Sequence, residues 1–142
     1  IGSDSNRLTH VGIAMADLLS EEGDEVDLTI GIGKSEAPLA TVIGRELGTD
    51  LGVYLPSKYR WDDDGDDASG SFSRNFATVD DQRCYIVDDN IDTGQTMTET
   101  IQTVWDEGGS REAAVVLTDK RGEADIAGVP VYSMVEIVQM RD

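Results

Sequence analysis

The chain has 142 residues, enough for one domain with a buried core and too few for two ordinary ones. It carries 11 Lys and Arg against 29 Asp and Glu, a formal net charge of −18, so it would repel nucleic acid and anionic membranes. No apolar stretch approaches the roughly 20 residues that cross a bilayer, and these counts exclude a membrane span and a nonspecific binder of phosphate backbones.

The first half predicts a helix, a strand, a second helix and a second strand. In both predicted helices apolar residues recur at helical spacing, and Asp4 or Ser5 is the expected N-cap of the first helix. Both predicted strands are short runs rich in β-branched residues. The predicted bounds are 8–19, 26–32, 38–47 and 52–55. Residues 56–71 include five aspartates and predict an exposed loop, followed by a short strand near Phe72.

The second half continues the alternation. The predicted elements are a strand over 83–87, a helix over 96–107, a strand over 113–117 and an extended segment over 129–138. Trp105 falls on the helix and is expected in the core. Alternating strands and helices predict an α/β fold with a mostly parallel central sheet flanked by helices, whose ligand lies beyond the carboxyl ends of the strands.

The acid excess and the single cysteine bear on the source. An acidic chain with few aromatic residues can be disordered, but the regular apolar spacing here favours a fold. The remaining explanation is a halophilic proteome, where molar salt screens charges within roughly 3 Å. Cys84 lies in an apolar run and is expected to be buried and reduced, which predicts a cytoplasmic protein.

The segment 84–97 carries the most chemical information. Two adjacent carboxylates, Asp88 and Asp89, follow a buried strand, and a polar turn with one glycine then opens a helix. Free N–H groups at a helix start bind anions, Thr93 and Thr96 add hydroxyl donors, and carboxylates accept from sugar hydroxyls or hold a hydrated cation. The order predicts a pocket for a phosphorylated sugar. The acid pair alone could equally be a solvated pair, since 29 of the 142 residues are acidic.

This segment resembles the phosphoribosyl-pyrophosphate signature of type I phosphoribosyltransferases. Residues 27–40 are similar to the pyrophosphate loop of the orotate branch, and 116–120 to the strand whose end faces the base. The resemblance implies the type I phosphoribosyltransferase fold and Mg²⁺ that accompanies the pyrophosphate, held indirectly by Asp88 and Asp89. The ligand residues that it implies are Asp88, Asp89, Asp92, Thr93, Gly94, Gln95, Thr96, Gly33, Lys34, Ser35 and Lys120. For Lys34 and Lys120, an exposed loop lysine is the alternative.

Four further segments resemble the orotate-phosphoribosyltransferase-like transcription regulators of halophilic archaea: 14–19, 38–40, 72–77 and 128–133. This resemblance implies that residues 1–142 are one domain excised from a longer chain, whose N-terminal helix-turn-helix segment binds DNA. It also implies a homodimer with no membrane partner. The expected function is a regulatory domain that binds phosphoribosyl pyrophosphate or another phosphosugar.

Two alternatives remain open: an active Mg²⁺-dependent phosphoribosyltransferase acting on a purine or orotate, and a dimerisation module. Asp92 matches the general base of the hypoxanthine/guanine branch, but a helix N-terminal acid stabilised by the dipole would look the same. Glu36 stands where related sequences usually have glycine, and acidic residues 62–67 replace a lysine-rich hood. The sequence therefore predicts weak or absent catalysis.

Overall fold

The computed structural model describes residues 2–21, 25–33, 36–56, 71–72, 79–121 and 124–136. Its elements are α1 (Gly2–Ser20), β1 (Leu28–Ile32), α2 (Ala37–Leu47), β2 (Asp50–Leu55), β3 (Ser71–Phe72), β4 (Arg83–Ile91), α3 (Gln95–Asp106), β5 (Ser110–Asp119), β6 (Asp125–Ile126) and β7 (Val129–Glu136). The predicted alternation of strands and helices is confirmed.

The strands form one sheet in the order β3-β2-β1-β4-β5-β7-β6. Strands β2, β1, β4, β5 and β7 pair in parallel, while β3 and β6 pair antiparallel at the two edges. β1 and β4 lie side by side at the centre, so the loops that follow them meet at one edge of the sheet. The chain has the predicted α/β fold with a mostly parallel sheet.

Each face of the sheet packs against its own helices. α3 covers one face through a stripe of Met97, Ile101 and Val104, and α1 and α2 cover the other. The alternation along β4 sets this division, since Ile86 points into the first core and Tyr85 into the second. Cys84 is buried and has no disulfide partner, as predicted. Among the described residues, no helix is both long and apolar enough to cross a bilayer.

Several bounds differ from those predicted. α1 begins at Gly2, ahead of the expected caps Asp4 and Ser5. β4 and β5 run further than predicted, and Asp88 pairs with Val116 inside the sheet rather than starting a loop. Residues 57–70 and 73–78, with most of the predicted acidic loop, lie outside the described residues.

The prediction that Trp105 belongs to the core is wrong. Its side chain is 59% exposed, and the guanidinium of Arg111 lies 4.7 Å from the centre of its ring. The buried stripe of α3 runs through Met97, Ile101 and Val104, and Trp105 lies beside that stripe in the last helical turn. There Arg111 covers one face of the ring in place of the sheet.

Candidate functional site

A cavity of about 410 Å³ opens at the carboxyl ends of β1 and β4. Ile32, Glu36 and residues 88–97 line it, so the chain segments that follow two neighbouring parallel strands form its walls. This is the position that the fold class predicts for a ligand. Seven of the predicted ligand residues line the cavity: Asp88, Asp89, Asp92, Thr93, Gly94, Gln95 and Thr96.

One end of the cavity is the turn that starts α3. Gly94 is the N-cap residue and has φ +92°, a left-handed conformation that disfavours any residue with a Cβ. Its carbonyl accepts the N–H of Thr98 at 2.9 Å and the hydroxyl of the same residue at 2.7 Å. No side chain caps α3, because glycine has none to offer. The N–H of Gln95 donates to the hydroxyl of Thr93 at 3.3 Å, which leaves the N–H groups of Thr96 and Met97 in the first turn available to an anion. We call residues 92–96 the anion turn.

The cavity is also lined by a cluster of three carboxylates from Glu36, Asp88 and Asp89. One oxygen from each lies within 4.8 Å of the others. Asp88 and Asp89 occupy the end of β4, and each accepts the N–H of the next residue, at 2.8 and 2.7 Å. We call this set the carboxylate cluster. The sequence predicted Asp88 and Asp89 as ligand residues and Glu36 in the pyrophosphate loop, but it did not predict that the three carboxylates meet.

Glu36 reaches this cluster because α2 begins close to β1. A Cβ at Gly31 would lie 3.1 Å from the carbonyl oxygen of Glu36, so glycine in β1 permits that approach. Glu36 is the N-cap residue of α2, and its side chain makes no capping hydrogen bond. Only the fold brings β4 to the side of β1 and thus Asp88 close to Glu36.

The cluster shifts the titration of Asp88. The pKa of its carboxyl is raised to about 7, with burial as the main cause; the charges of Asp89 and Glu36 also raise it, and the N–H of Asp89 lowers it. A divalent cation would relieve the repulsion among these groups. Carboxylate oxygens are the ligands that Mg²⁺ prefers, so the donor set fits that ion.

A buried ion pair between Arg121 and Asp119 packs against the anion turn at Gly94. Asp119, at the end of β5, accepts two side-chain hydrogen bonds from Arg121 at 3.1 and 2.8 Å. Arg121 also donates to the carbonyl of Asp125 at 3.0 Å, which ties it to the hairpin of β6 and β7. Arg121 and Ile126 both pack against Gly94, at 3.4 and 3.3 Å from the position of a Cβ. Sequence reasoning found neither this ion pair nor the hairpin.

Of the remaining predicted ligand residues, Gly33 and Lys120 are described and are not among those that line the cavity. Gly33 ends β1 with φ +81°, and its N–H donates to the carbonyl of Tyr54 at 2.7 Å. Lys120 is exposed, and its backbone N–H donates to the carbonyl of Ile91 at 3.0 Å. Lys34 and Ser35 lie outside the described residues.

The described lining of the cavity is acidic. It includes Glu36, Asp88, Asp89 and Asp92, and it contains no lysine or arginine. The N-terminus of α3 contributes positive potential at this lining, where the helix dipole and the first-turn N–H groups favour an anion. The described site thus combines a helix start that can bind an anion with carboxylates that can accept hydrogen bonds from hydroxyls or bind a cation.

The chain is similar to known proteins in sequence and in fold. Residues 3–140 match the phosphoribosyl transferase domain family. The chain is 59% identical over 141 residues to a protein of Haloarcula marismortui named transcriptional regulator GfcR, covering 99% of this chain and 66% of that relative. The chain therefore spans just under two thirds of the length of that relative.

Solved structures show the same fold. Adenine phosphoribosyltransferase from Thermoanaerobacter pseudethanolicus superposes with a TM-score of 0.74 at 19% identity, covering 96% of this chain and 84% of the other. Orotate phosphoribosyltransferase from Mycobacterium tuberculosis, in complex with 5-phospho-α-D-ribosyl 1-diphosphate, has a TM-score of 0.70 at 18% identity and covers 92% and 73%. At such identities the likeness concerns the fold alone.

Proposed function

This chain belongs to the phosphoribosyl transferase domain family, and we propose that it is the regulatory domain of a transcription regulator that binds phosphoribosyl pyrophosphate or another phosphorylated sugar. The observation that carries the proposal is the cavity, which is lined both by the start of α3 and by a carboxylate cluster. The name of the haloarchaeal relative supports the regulatory role.

The anion turn and the carboxylate cluster suit the two parts of such a ligand. The phosphate would accept hydrogen bonds from the N–H groups of the anion turn and from the hydroxyls of Thr93 and Thr96. The sugar hydroxyls would donate to Asp88 and Asp89, which are acceptors when ionised. Mg²⁺, where bound, would be held by the carboxylate cluster and would neutralise charge next to the sugar.

Phosphoribosyl transfer requires more than this site offers in its described part. The leaving pyrophosphate develops charge that preorganised donors or cations must stabilise. The described lining has no lysine or arginine, and Asp92 is exposed. We therefore propose binding with weak or absent turnover, and assign no catalytic role to Asp92.

The other properties of the whole protein follow from this proposal. DNA would be bound through a segment outside this chain, because a charge of −18 opposes any contact with phosphate backbones. A homodimer fits operators with two-fold symmetry. A halophilic source explains the acid excess, since molar salt screens the repulsion.

Calorimetric titration in molar KCl tests the proposal. Ribose 5-phosphate should bind, whereas ribose without phosphate should bind at least about tenfold more weakly, because it leaves the anion turn empty. Equal affinity for both sugars, or no binding of either, would refute it. A parallel incubation with phosphoribosyl pyrophosphate, Mg²⁺ and each of five bases (orotate, uracil, adenine, guanine and hypoxanthine) measures turnover. Nucleotide formed at about 1 s⁻¹ or faster would establish the enzyme instead.

A further inference from the structure

The conformation of the anion turn depends on contacts from outside the turn. Gly94 has φ +92°, and glycine has no side chain that could restrict its backbone or cap α3. Apart from its chain neighbours, the three heavy atoms nearest to the Cβ position of Gly94 belong to Ile126 and Arg121. Among the described residues, these two side chains therefore support the glycine from behind.

The residues at the end of β5 contact the chain both before the anion turn and at its glycine. The N–H of Lys120 donates to the carbonyl of Ile91 at 3.0 Å, and Ile91 directly precedes the turn. In the next residue, Arg121 Cδ lies 3.4 Å from the Cβ position of Gly94. The position of the turn is therefore tied to the position of this short segment.

Three hydrogen bonds fix the guanidinium of Arg121. Two go to the carboxylate of Asp119, at 3.1 and 2.8 Å, and one goes to the carbonyl of Asp125 at 3.0 Å. The side chains of Arg121 and Asp119 are only 10% and 4% exposed. A buried ion pair adds little net stability, because the lost hydration offsets the attraction between the charges. What a bidentate pair adds is a defined geometry, which a flexible apolar side chain in its place would lack.

We infer that Arg121 is a positioning residue for the phosphate site. Its ion pair with Asp119 holds the arginine side chain against Gly94, and this contact fixes the direction of the first-turn N–H groups of α3. Arg121 does not line the cavity, so it acts through the turn and not by touching the ligand. The inference rests on the proposed function and deepens it, because it names what aligns the phosphate donors. The carboxylate cluster belongs to other elements, so the binding of sugar hydroxyls should not depend on Arg121.

Calorimetry in molar KCl tests the inference through the ratio of two dissociation constants, that of ribose over that of ribose 5-phosphate. The constant for ribose is measured by its displacement of ribose 5-phosphate. Arg121→Lys keeps the charge and loses the bidentate geometry, so it should lower the ratio at least about threefold and leave the affinity for ribose unchanged. A loss of stability alone would weaken both ligands equally and would leave the ratio constant.

The double variant Arg121→Gln, Asp119→Asn provides a second test, which also serves if Arg121→Lys does not fold. It removes one charge of each sign, leaves neither partner charged and unpaired, and should lower the ratio to a similar extent. The matched control is Arg83→Lys, in the half-exposed ion pair with Asp27 at the start of β4, because the cavity lies at the other end of that strand. It should leave the ratio unchanged.

The outcomes separate the inference from the proposed function. A wild-type ratio in either folded Arg121 variant, or an equal fall in Arg83→Lys, would overturn the inference and leave the proposed function intact. If wild type itself does not prefer ribose 5-phosphate to ribose, the proposed function fails and the inference falls with it.

Discussion

Replacing Gly94 with alanine tests the role of the anion turn directly. At φ +92° an alanine is strained by about 1–2 kcal/mol. Its Cβ would also lie 3.3 Å from Ile126 Cδ1, which must move by a few tenths of an ångström, and 3.4 Å from Arg121 Cδ. We expect lower stability and a displaced row of N–H groups at the start of α3.

Gly48→Ala is the matched control. Gly48 has φ +76°, but no atom lies within 4 Å of its Cβ position, and it ends α2 away from the cavity. Both variants should lose about 1–2 kcal/mol in denaturant unfolding, from strain alone. Only Gly94→Ala should also weaken ribose 5-phosphate binding in calorimetry, by about tenfold or more, since misplaced donors lose charge-assisted hydrogen bonds. Unchanged affinity in Gly94→Ala would refute the assignment of the phosphate to this turn.

Three further perturbations follow from the structure. Because the pKa of Asp88 is raised to about 7, its carboxyl stays protonated in the folded state at pH values where the unfolded state, with the ordinary pKa of 3.8, has released the proton. The stability that this group contributes is therefore complete below pH 3.8 and is lost as the pH rises to about 7. The free energy of unfolding, measured with a chelator present, should decline over this range, and Asp88→Asn should abolish the decline. Lowering KCl from about 1 M to 0.1 M lengthens the Debye length from about 3 to 10 Å, so the carboxylates of a chain with net charge −18 repel one another more strongly. The melting temperature should therefore fall, and a constant melting temperature would contradict the halophilic assignment. Arg121→Gln removes the ion-pair partner of the buried Asp119 carboxylate and should lower the free energy of unfolding by about 3 kcal/mol. The double variant with Asp119→Asn should restore most of this loss. If it restores none, the ion pair is not the cause of the lost stability.

The parts of this structure that could be predicted from sequence depend on local order. Asp88 and Asp89 follow an apolar strand and precede a threonine–glycine turn, and that order alone placed most of the lining. The hydrophobic periods likewise predicted α2 and α3 to within a residue or so.

Other features depend on contacts that spacing does not encode. Glu36 joins the cluster only because Gly31 lets α2 approach β1 and because β4 pairs with β1. The partnership of Arg121 with Asp119 and Asp125 requires the hairpin of β6 and β7, whose two-residue strand is too short for a periodic signal. The prediction for Trp105 was wrong because the apolar character of a helical residue does not show which face of the helix packs against the sheet.

The central claim is that this cavity binds a phosphorylated sugar through its acid pair and its anion turn. Its most direct test is calorimetric titration of ribose 5-phosphate in molar KCl into wild type and into the double variant Asp88→Ala, Asp89→Ala. Wild type should bind, and the double variant should lose a few kcal/mol of binding free energy, since each hydrogen bond to a charged acceptor contributes roughly 1.5–3 kcal/mol. An affinity that is the same in both proteins would contradict the account.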